Sequence, residues 1–303
     1  MTEQLYTLFR NCYPGIIRTP SHVKSLFSDP DNRILVRCEG QTLTAAAVLY
    51  QNHIVMLCVH PDFRGRGIGS ALLAECEDSI RAQGYDTVKL TPGKTYLTPG
   101  APMAFAPYEN NRAFLEKRGY VHTWGEDECV DMMLDMASLD DLGVHIGDTI
   151  PGKSKREALD PDAPENRMTY RFAASADIEK TAECVAEAEE DFVKYYRNPA
   201  PYEAKGCDRV LIAENGLGVV CGALLVTAGG EAEGLGSVGC TSTRALYQGR
   251  GIATNMIKAG TMYLKEQGMT RGYLGYTYTD IIPMYARAGY AVSMKYFMGE
   301  KKL

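Results

Sequence analysis

The sequence predicts an α/β (α+β) fold made of two tandem domains, each with a mixed central sheet flanked by helices. Two observations carry this prediction. The chain has 303 residues, which exceeds the usual size of one hydrophobic core and suits two domains of about 150 residues each. A glycine-rich segment also occurs twice, with strands before it and a helix after it in both copies, which is typical of a duplicated domain.

The repeat is carried by three pairs of matching segments that occur in the same order in both halves. The pairs are residues 64–69 (RGRGIG) with 248–253 (QGRGIA), 81–84 (RAQG) with 265–268 (KEQG), and 116–120 (EKRGY) with 286–290 (ARAGY). The first two pairs share one offset, and the third pair has a shorter one. The first half therefore carries an insertion between residues 91 and 108, which is rich in Pro, Gly and Thr and is predicted to be a loop.

Apolar and β-branched segments between turn residues predict the strands of each sheet. These strands are residues 34–38, 43–50 and 54–59 in the first half, and 210–213, 219–227 and 237–243 in the second. A helix is predicted over residues 70–83, after the first glycine segment. The second half opens with a predicted strand over residues 168–173 and a helix that has Asp177 as its N-cap.

The predicted domain organisation is an N-terminal domain over residues 1–138, a linker over 139–167 and a C-terminal domain over 168–303. The linker mixes Pro, Gly and charged residues with little apolar periodicity. No counterpart of the strand at 168–173 is visible at the start of the chain. The first domain is therefore either shortened by one strand or completed by a strand from elsewhere.

Charge and cysteine usage limit the class of protein. The net charge of −6 argues against nucleic-acid binding, which needs clustered Lys and Arg, although a mildly acidic surface is also an ordinary source of solubility. The nine cysteines are scattered singly, without a CxxC pair or a His at metal-ligand spacing, which indicates reduced thiols and no metal site. Because neither a signal-peptide pattern nor a span of about 20 apolar residues is present, we expect a cytoplasmic protein without a membrane partner.

The glycine segment has the chemistry of an anion site. Glycine lets the backbone approach a ligand without a Cβ, and the following helix presents unpaired N–H groups and the positive end of its dipole. These features suit a pyrophosphate, and Arg64, Arg66 and Arg250 add positive charge. A dinucleotide fingerprint does not fit, because residues 60–63 separate the strand from glycines whose spacing also differs. A tight connection without a ligand is the other interpretation.

Two segments resemble the acetyl-CoA-binding motif of the GCN5-related N-acetyltransferase (GNAT) family, namely residues 59–73 (VHPDFRGRGIGSALL) and 244–257 (RALYQGRGIATNMI). Residues 113–120 and 283–290 resemble that family's last helix and turn. The resemblance covers most of both halves and implies two GNAT-like domains. It also implies that two parallel strands splay apart at the centre of each sheet, and that the pantetheine arm of acetyl-CoA inserts between them.

The resemblance further implies which residues bind the coenzyme. The strand before each glycine segment would offer backbone groups to the pantetheine arm, and the amides of the turn would hold the pyrophosphate. In the N-terminal domain these residues are Leu57, Cys58, Val59, Arg64, Gly65, Arg66, Gly67, Ile68, Gly69 and Ser70. In the C-terminal domain they are Thr241, Ser242, Thr243, Gln248, Gly249, Arg250, Gly251, Ile252, Ala253 and Thr254.

Acyl transfer needs a proton for the leaving thiolate, and in this family a tyrosine ahead of the closing glycine often supplies it. That position holds Tyr285 in the C-terminal domain and Leu115, which cannot donate a proton, in the N-terminal domain. The resemblance thus implies a catalytic C-terminal domain with Tyr285 as its acid. The N-terminal domain would bind coenzyme weakly, use Tyr108 or another donor, or serve as a scaffold. A tyrosine that only packs its ring on the sheet is the structural alternative for Tyr285.

Several residues are candidates for binding the acceptor or for a further chemical step. Glu190 and Asp191, beside Glu189, lie in a predicted helical region that walls the acceptor pocket in this fold, and Asp280 is a third candidate for binding the substrate. A run of acids is also typical of a solvated helix face. Cys240 offers a cysteinyl acyl intermediate, although no adjacent basic residue would activate its thiol.

The predicted function is therefore an N-acetyltransferase that moves an acetyl group directly from acetyl-CoA to a primary amine of a small molecule or peptide. Deprotonating an amine near pH 7 needs little from the protein, so the lack of an obvious base does not exclude activity. The alternative is an acyl-CoA-binding sensor or scaffold without turnover. The insertion at residues 91–108 either closes over a substrate or is a surface loop.

Overall fold

The computed structural model shows a chain that forms two compact units. The structure describes residues 1–90, 92–125, 127–154, 158–203, 206–230 and 232–303. The N-terminal unit contains Met1–Val130 and Met294–Leu303, and the C-terminal unit contains Asp131–Ser293. Residues 155–157 of the predicted linker and residue 91 of the predicted insertion lie outside the described residues.

The elements follow one another in the order that the repeat predicts. Those up to the unit boundary are α1 (Thr2–Cys12), α2 (Pro20–Ser28), β1 (Arg33–Glu39), β2 (Thr42–Tyr50), β3 (His53–Val59), α3 (Ile68–Ala82), β4 (Thr87–Leu90), β5 (Ala101–Met103), α4 (Asn111–Glu116), β6 (Val121–His122) and β7 (Cys129–Asp135). Those that follow are β8 (Thr149–Pro151), β9 (Arg167–Phe172), α5 (Ile178–Ala186), α6 (Val193–Tyr196), β10 (Asp208–Asn215), β11 (Val220–Ala228), β12 (Leu235–Thr243), α7 (Ile252–Glu266), β13 (Arg271–Tyr278), α8 (Ile282–Ala286), β14 (Ala291–Phe297) and β15 (Gly299–Lys302).

The sheet of the N-terminal unit has the strand order β1-β2-β3-β4-β15-β6. Strands β1, β2 and β3 form an antiparallel meander, because turns at Gly40 and Gln51, both with positive φ, reverse the chain. Strand β4 then returns parallel to β3, and among the described residues their register holds one pair, His53 with Lys89. Residues 54–59 of β3 continue beyond that pair, which agrees with the separation of parallel strands that the family resemblance implies.

The last strand of the chain completes this sheet. Strand β15 pairs antiparallel with β4, from Gly299 opposite Leu90 to Lys302 opposite Thr87, and also with β6. A strand from elsewhere is thus supplied, but it lies beside β4 and not beside β1. Residues 294–303 accordingly belong to the N-terminal unit, whereas the predicted C-terminal domain runs to residue 303.

The C-terminal unit repeats the arrangement. The strands that lie wholly within it follow the order β13-β12-β11-β10-β9-β8, and β12 pairs in parallel with β13 from Leu235 to Ser237. Strand β8 lies within the predicted linker, where it pairs antiparallel with β9. The linker therefore contributes an edge strand, which its Pro- and Gly-rich composition did not indicate.

The cores explain why the predicted elements form. Helix α3 places Leu72, Leu73, Cys76 and Ile80 on one face, at the spacing of a helix that packs on a sheet, and all four are buried. The predicted strands of both halves and the predicted helix over residues 70–83 are confirmed, and each predicted end lies within two residues of the observed one. Among the described residues, no helix is long and apolar enough to cross a membrane.

Candidate active site in the N-terminal unit

The two glycine segments fold in the same way. Gly65 and Gly67 have φ of 76° and 80°, and Gly249 and Gly251 have φ of 76° and 81°. This is a left-handed backbone conformation, which residues with a Cβ adopt only at a cost in free energy. Gly67 is the N-cap of α3, and Gly251 is the N-cap of α7. The first amides of each 15-residue helix are therefore presented at the turn, as an anion site requires.

A cavity of about 600 Å³ opens at the first of these turns. Its walls come from β3, the glycine turn, the segment around β5 and helix α4. Its lining includes the backbone or side chains of Cys12, Tyr13, Ile54, Val55, Met56, Leu57, Cys58, Val59, Arg64, Gly65, Gly67, Ile68, Gly69, Ser70, Thr98, Gly100, Tyr108, Asn111, Phe114, Leu115 and Arg118. The cavity thus joins the helix start to the separated strand β3, and it holds every residue predicted to bind coenzyme in this half except Arg66.

Two arginines line the cavity at the glycine turn. Arg64 donates from Nε to the carbonyl oxygen of Val59 at 3.1 Å, and Arg118 hydrogen-bonds to the hydroxyl of Ser70 in the first turn of α3. Arg66 instead donates to the carbonyl oxygen of Asp62 at 3.0 Å. Sequence reasoning missed Arg118, because it lies far along the chain and reaches the turn only when α4 folds beside α3.

Much of the remaining lining of the cavity is apolar. Leu115, which occupies the family position of the proton donor, is 4% exposed and is one of the lining residues. The hydroxyl of Tyr108 donates to the carbonyl oxygen of Pro14 at 2.8 Å. The hydroxyl of Tyr13 donates to the carbonyl oxygen of Leu57 at 3.0 Å.

Two thiols, those of Cys12 and Cys58, meet in the cavity wall, and their pKa values are displaced in opposite directions. The hydrogen bond from Cys58 lowers the pKa of Cys12, and the charge of Arg64 lowers it further. The same hydrogen bond, together with burial, raises the pKa of Cys58 well above its usual value. Of the two thiols, Cys12 is therefore the one that ionises first.

We expect Cys12 to react with iodoacetamide before Cys58 and Cys76, because the thiolate is the reactive form. The rate should fall as the pH drops through the lowered pKa of Cys12, and coenzyme A should slow it by filling the cavity. Cys76 is the control, because burial raises its pKa to about 12 and it does not line the cavity. Peptide mapping after timed alkylation measures this order, and equal labelling of Cys12 and Cys76 would contradict it.

The corresponding region of the C-terminal unit contains two buried tyrosines whose hydroxyls are hydrogen-bonded. Tyr285 is 2% exposed, and its hydroxyl lies 2.8 Å from Thr241 Oγ1. The hydroxyl of Tyr196, which is fully buried, donates to the carbonyl oxygen of Cys240 at 2.6 Å. Burial raises the pKa of Tyr285 and raises the pKa of the Cys240 thiol to about 11. That thiol therefore stays protonated near neutral pH, which disfavours a cysteinyl intermediate there.

The second glycine turn is bonded to the segment that precedes β9. The carbonyl oxygen of Arg250 accepts a hydrogen bond from the amide of Lys153 at 3.1 Å. The guanidinium of Arg250 donates to Asn166 Oδ1 at 3.0 Å. Gln248 donates to the carbonyl oxygen of Thr243 at 3.2 Å. The side chains of Arg250 and Gln248, both predicted to bind coenzyme, are thus engaged with protein groups.

The predicted acceptor residues lie at the surface. Glu190, Asp191 and Asp280 are all exposed. The structure also shows a buried carboxylate that sequence reasoning missed. Asp131 accepts hydrogen bonds from the hydroxyl of Tyr273 at 2.9 Å and from the amide of Tyr276 at 3.0 Å, so it fixes the end of β13 where that strand leaves β12.

Comparisons with known proteins agree with this fold and site. The model of the acetyltransferase (GNAT) family matches residues 2–98 and 172–290, and the chain belongs to this family. Acetyltransferase plu1384 of Photorhabdus laumondii is 32% identical over 94 residues, which are 29% of this chain and 66% of that relative. The chain thus matches just under two thirds of that relative's length.

Two solved structures share the tandem architecture. The GCN5-related N-acetyltransferase from Sphaerobacter thermophilus superposes with a TM-score of 0.65 at 18% identity, covering 99% of this chain and 91% of that one. The tandem GNAT protein from the clavulanic acid biosynthesis pathway superposes with a TM-score of 0.63 at 17% identity, covering 99% of this chain and 94% of that one. At such identities the similarity establishes the fold, and the predicted family resemblance and fold class are confirmed.

Proposed function

We propose that this protein is an N-acetyltransferase that moves an acetyl group from acetyl-CoA to a primary amine of a small molecule or peptide, and that its N-terminal unit holds the coenzyme. The observation that carries the proposal is the 600 Å³ cavity, which joins a helix N-terminus to a separated strand. This position matches the coenzyme site that the family resemblance implies. Tyr285 stays a prediction as the acid of the C-terminal unit, where its hydroxyl lies within hydrogen-bond distance of Thr241 Oγ1.

The residues present fit the coenzyme. A Cβ built on Gly65 or Gly67 meets no atom within 4 Å, so the space beyond both glycines is open to a ligand. The amides from Gly67 to Ser70 would hold the pyrophosphate, with Arg64 and Arg118 as counter-charges. Leu57 to Val59 would pair with the pantetheine arm. When bound, acetyl-CoA supplies an activated acyl thioester.

The reaction itself demands little covalent chemistry from the protein. In such a transfer a C–N bond forms as the C–S bond breaks, the electron pair leaves on sulfur, and the amine proton passes through water to the departing thiolate. What the cavity contributes is alignment of the two reactants and exclusion of bulk solvent, which together supply much of the rate of such transfers. The apolar side chains of its lining, Leu115 among them, suit a small acyl group.

The binding experiment compares two matched variants, Gly67→Ala and Gly251→Ala. Both glycines have nearly the same φ and open space around the added Cβ, so both variants should cost about the same 1–2 kcal/mol of folding free energy. We expect Gly67→Ala to weaken coenzyme A binding about tenfold or more, which is about 1.4 kcal/mol, because its Cβ enters the phosphate site. Gly251→Ala should leave the Kd within about twofold.

Isothermal titration measures the Kd, and release of free coenzyme A thiol from acetyl-CoA with a panel of amines measures turnover. A loss of binding in Gly251→Ala with none in Gly67→Ala would move the coenzyme to the C-terminal unit. Tight binding without thiol release for any amine would favour the acyl-CoA sensor in place of an enzyme.

A further inference from the structure

The hydroxyl of Tyr13 lies against the separated strand of the N-terminal unit. Tyr13 directly follows α1, and its Oη donates to the carbonyl oxygen of Leu57 at 3.0 Å. The amide N–H of Leu57 is directed at the same Oη across 3.4 Å. Both residues line the cavity. Two hydrogen-bond donors, one from a side chain and one from the backbone, therefore lie side by side at this point.

This point is where an acyl group would arrive. Strand β3 leads from His53 to Val59 and then into the glycine turn, so Leu57 is further from the phosphate amides than Val59 is. Strand residues advance by about 3.3 Å each. A pantetheine arm that runs back from Val59 along β3 thus carries its thioester past Leu57, towards Tyr13.

The other candidate residues that line the cavity are less suited to donate a hydrogen bond to the thioester. Leu115 has no polar group, and the hydroxyl of Tyr108 is turned to the carbonyl oxygen of Pro14. The Tyr13 hydroxyl is bonded to the strand on which the thioester would lie. It can exchange one carbonyl acceptor for another by a small rotation about its C–O bond.

We propose that Tyr13 Oη donates a hydrogen bond to the carbonyl oxygen of the acyl thioester, beside the Leu57 amide, and stabilises the negative charge that develops there as the amine attacks. The inference rests on the proposed function. Donors held in place before the reaction are effective because they need no reorganisation when the charge appears. Burial raises the pKa of Tyr13 well above its usual value, so the hydroxyl keeps its proton throughout the neutral range.

The C-terminal unit offers a matched control. Tyr196 is the last residue of α6 and also donates to a strand carbonyl oxygen, that of Cys240, and the separation in sequence is 44 residues in both pairs. Tyr196 does not line the cavity. Replacing either tyrosine by Phe removes the same kind of structural hydrogen bond, worth about 1 kcal/mol, but only Tyr13 would touch the reacting group.

The test measures Tyr13→Phe, Tyr196→Phe and Tyr285→Phe with acetyl-CoA and an accepted amine. For Tyr13→Phe we expect kcat to fall about a hundredfold, with the Kd of coenzyme A within about twofold of wild type. An infrared difference spectrum of bound acetyl-CoA with an isotope-labelled carbonyl, recorded without amine, gives a second readout. The carbonyl stretching frequency of acetyl-CoA should be lower when it is bound to wild type than when it is free in water. Tyr13→Phe should reverse part of that shift, whereas Tyr196→Phe should not.

The outcomes separate the inference from the proposed function. An unchanged infrared band in Tyr13→Phe, with kcat within about threefold of wild type, would make Tyr13 a purely structural tie while leaving the acetyltransferase in place. A large loss of kcat in Tyr285→Phe alone would place the chemistry in the C-terminal unit and overturn the inference. A wild-type protein that neither binds coenzyme A nor releases its thiol would remove the proposed function itself.

Discussion

Removal of residues 294–303 is expected to unfold the N-terminal unit and to abolish its binding of coenzyme A. The deletion takes away β15, which lies between β4 and β6. It also removes Tyr296, Phe297 and Met298, which are buried at 1%, 0% and 2% exposure. Each such side chain contributes about 1.5–3 kcal/mol by burial, and the whole stability of a domain is only about 5–15 kcal/mol.

Thermal unfolding of the deletion variant, followed by circular dichroism, measures this loss.

Two point variants of the full-length chain separate the effect of core packing from that of strand pairing. Phe297→Ala should cost about 3–5 kcal/mol, whereas Phe297→Leu, which keeps most of the volume, should cost less than about 1.5 kcal/mol. If the shortened chain kept the unfolding temperature and the coenzyme affinity of wild type, the assignment of β15 to this sheet would be wrong.

Gly100→Ala is expected to be the most damaging single substitution in the cavity wall. A Cβ at Gly100 would lie 2.5 Å from the carbonyl oxygen of Phe297 and 2.9 Å from the sulfur of Met298. The first contact is with backbone that belongs to β14, so no side-chain rotation relieves it. Overpacking of this kind costs about 1–3 kcal/mol and occasionally more, and here the strain falls on a segment that lines the cavity.

Gly239→Ala is the matched control for this prediction. Gly239 also lies beside a strand neighbour, but its added Cβ would meet only Leu274 Cδ1 at 3.9 Å, an ordinary contact. Calorimetric unfolding should show a clear drop in Tm for Gly100→Ala and almost none for Gly239→Ala. Equal Tm values for the two variants would show that residues 98–102 can move away from β14 without cost.

The elements that local patterning defines could be predicted from the sequence. The three strands before each glycine segment and the helix after it follow from apolar runs, turn residues and helical spacing, and all are found. Gly67 and Gly251 were predicted as close-approach positions, and both have the positive φ that only glycine adopts easily. These features depend on neighbours in the chain, which the sequence displays directly.

Features that depend on distant segments could not be predicted. The stretch GEKK of β15 looks like a charged tail, and only its register opposite β4 reveals a strand. Arg118 reaches Ser70 through the packing of two helices. Tyr13 reaches Leu57 because α1 ends over β3. The role of Tyr285 as an acid, inferred from its place before Gly289, stays a prediction.

The placement of residues 294–303 has a consequence for biosynthesis. A ribosome releases segments in order, and domains at the start of a chain ordinarily fold while the rest is still being made. Here the strand beside β4 emerges only after all of residues 131–293. Until then the nascent first half has an unpaired edge, and its maturation must wait for its other half to be translated.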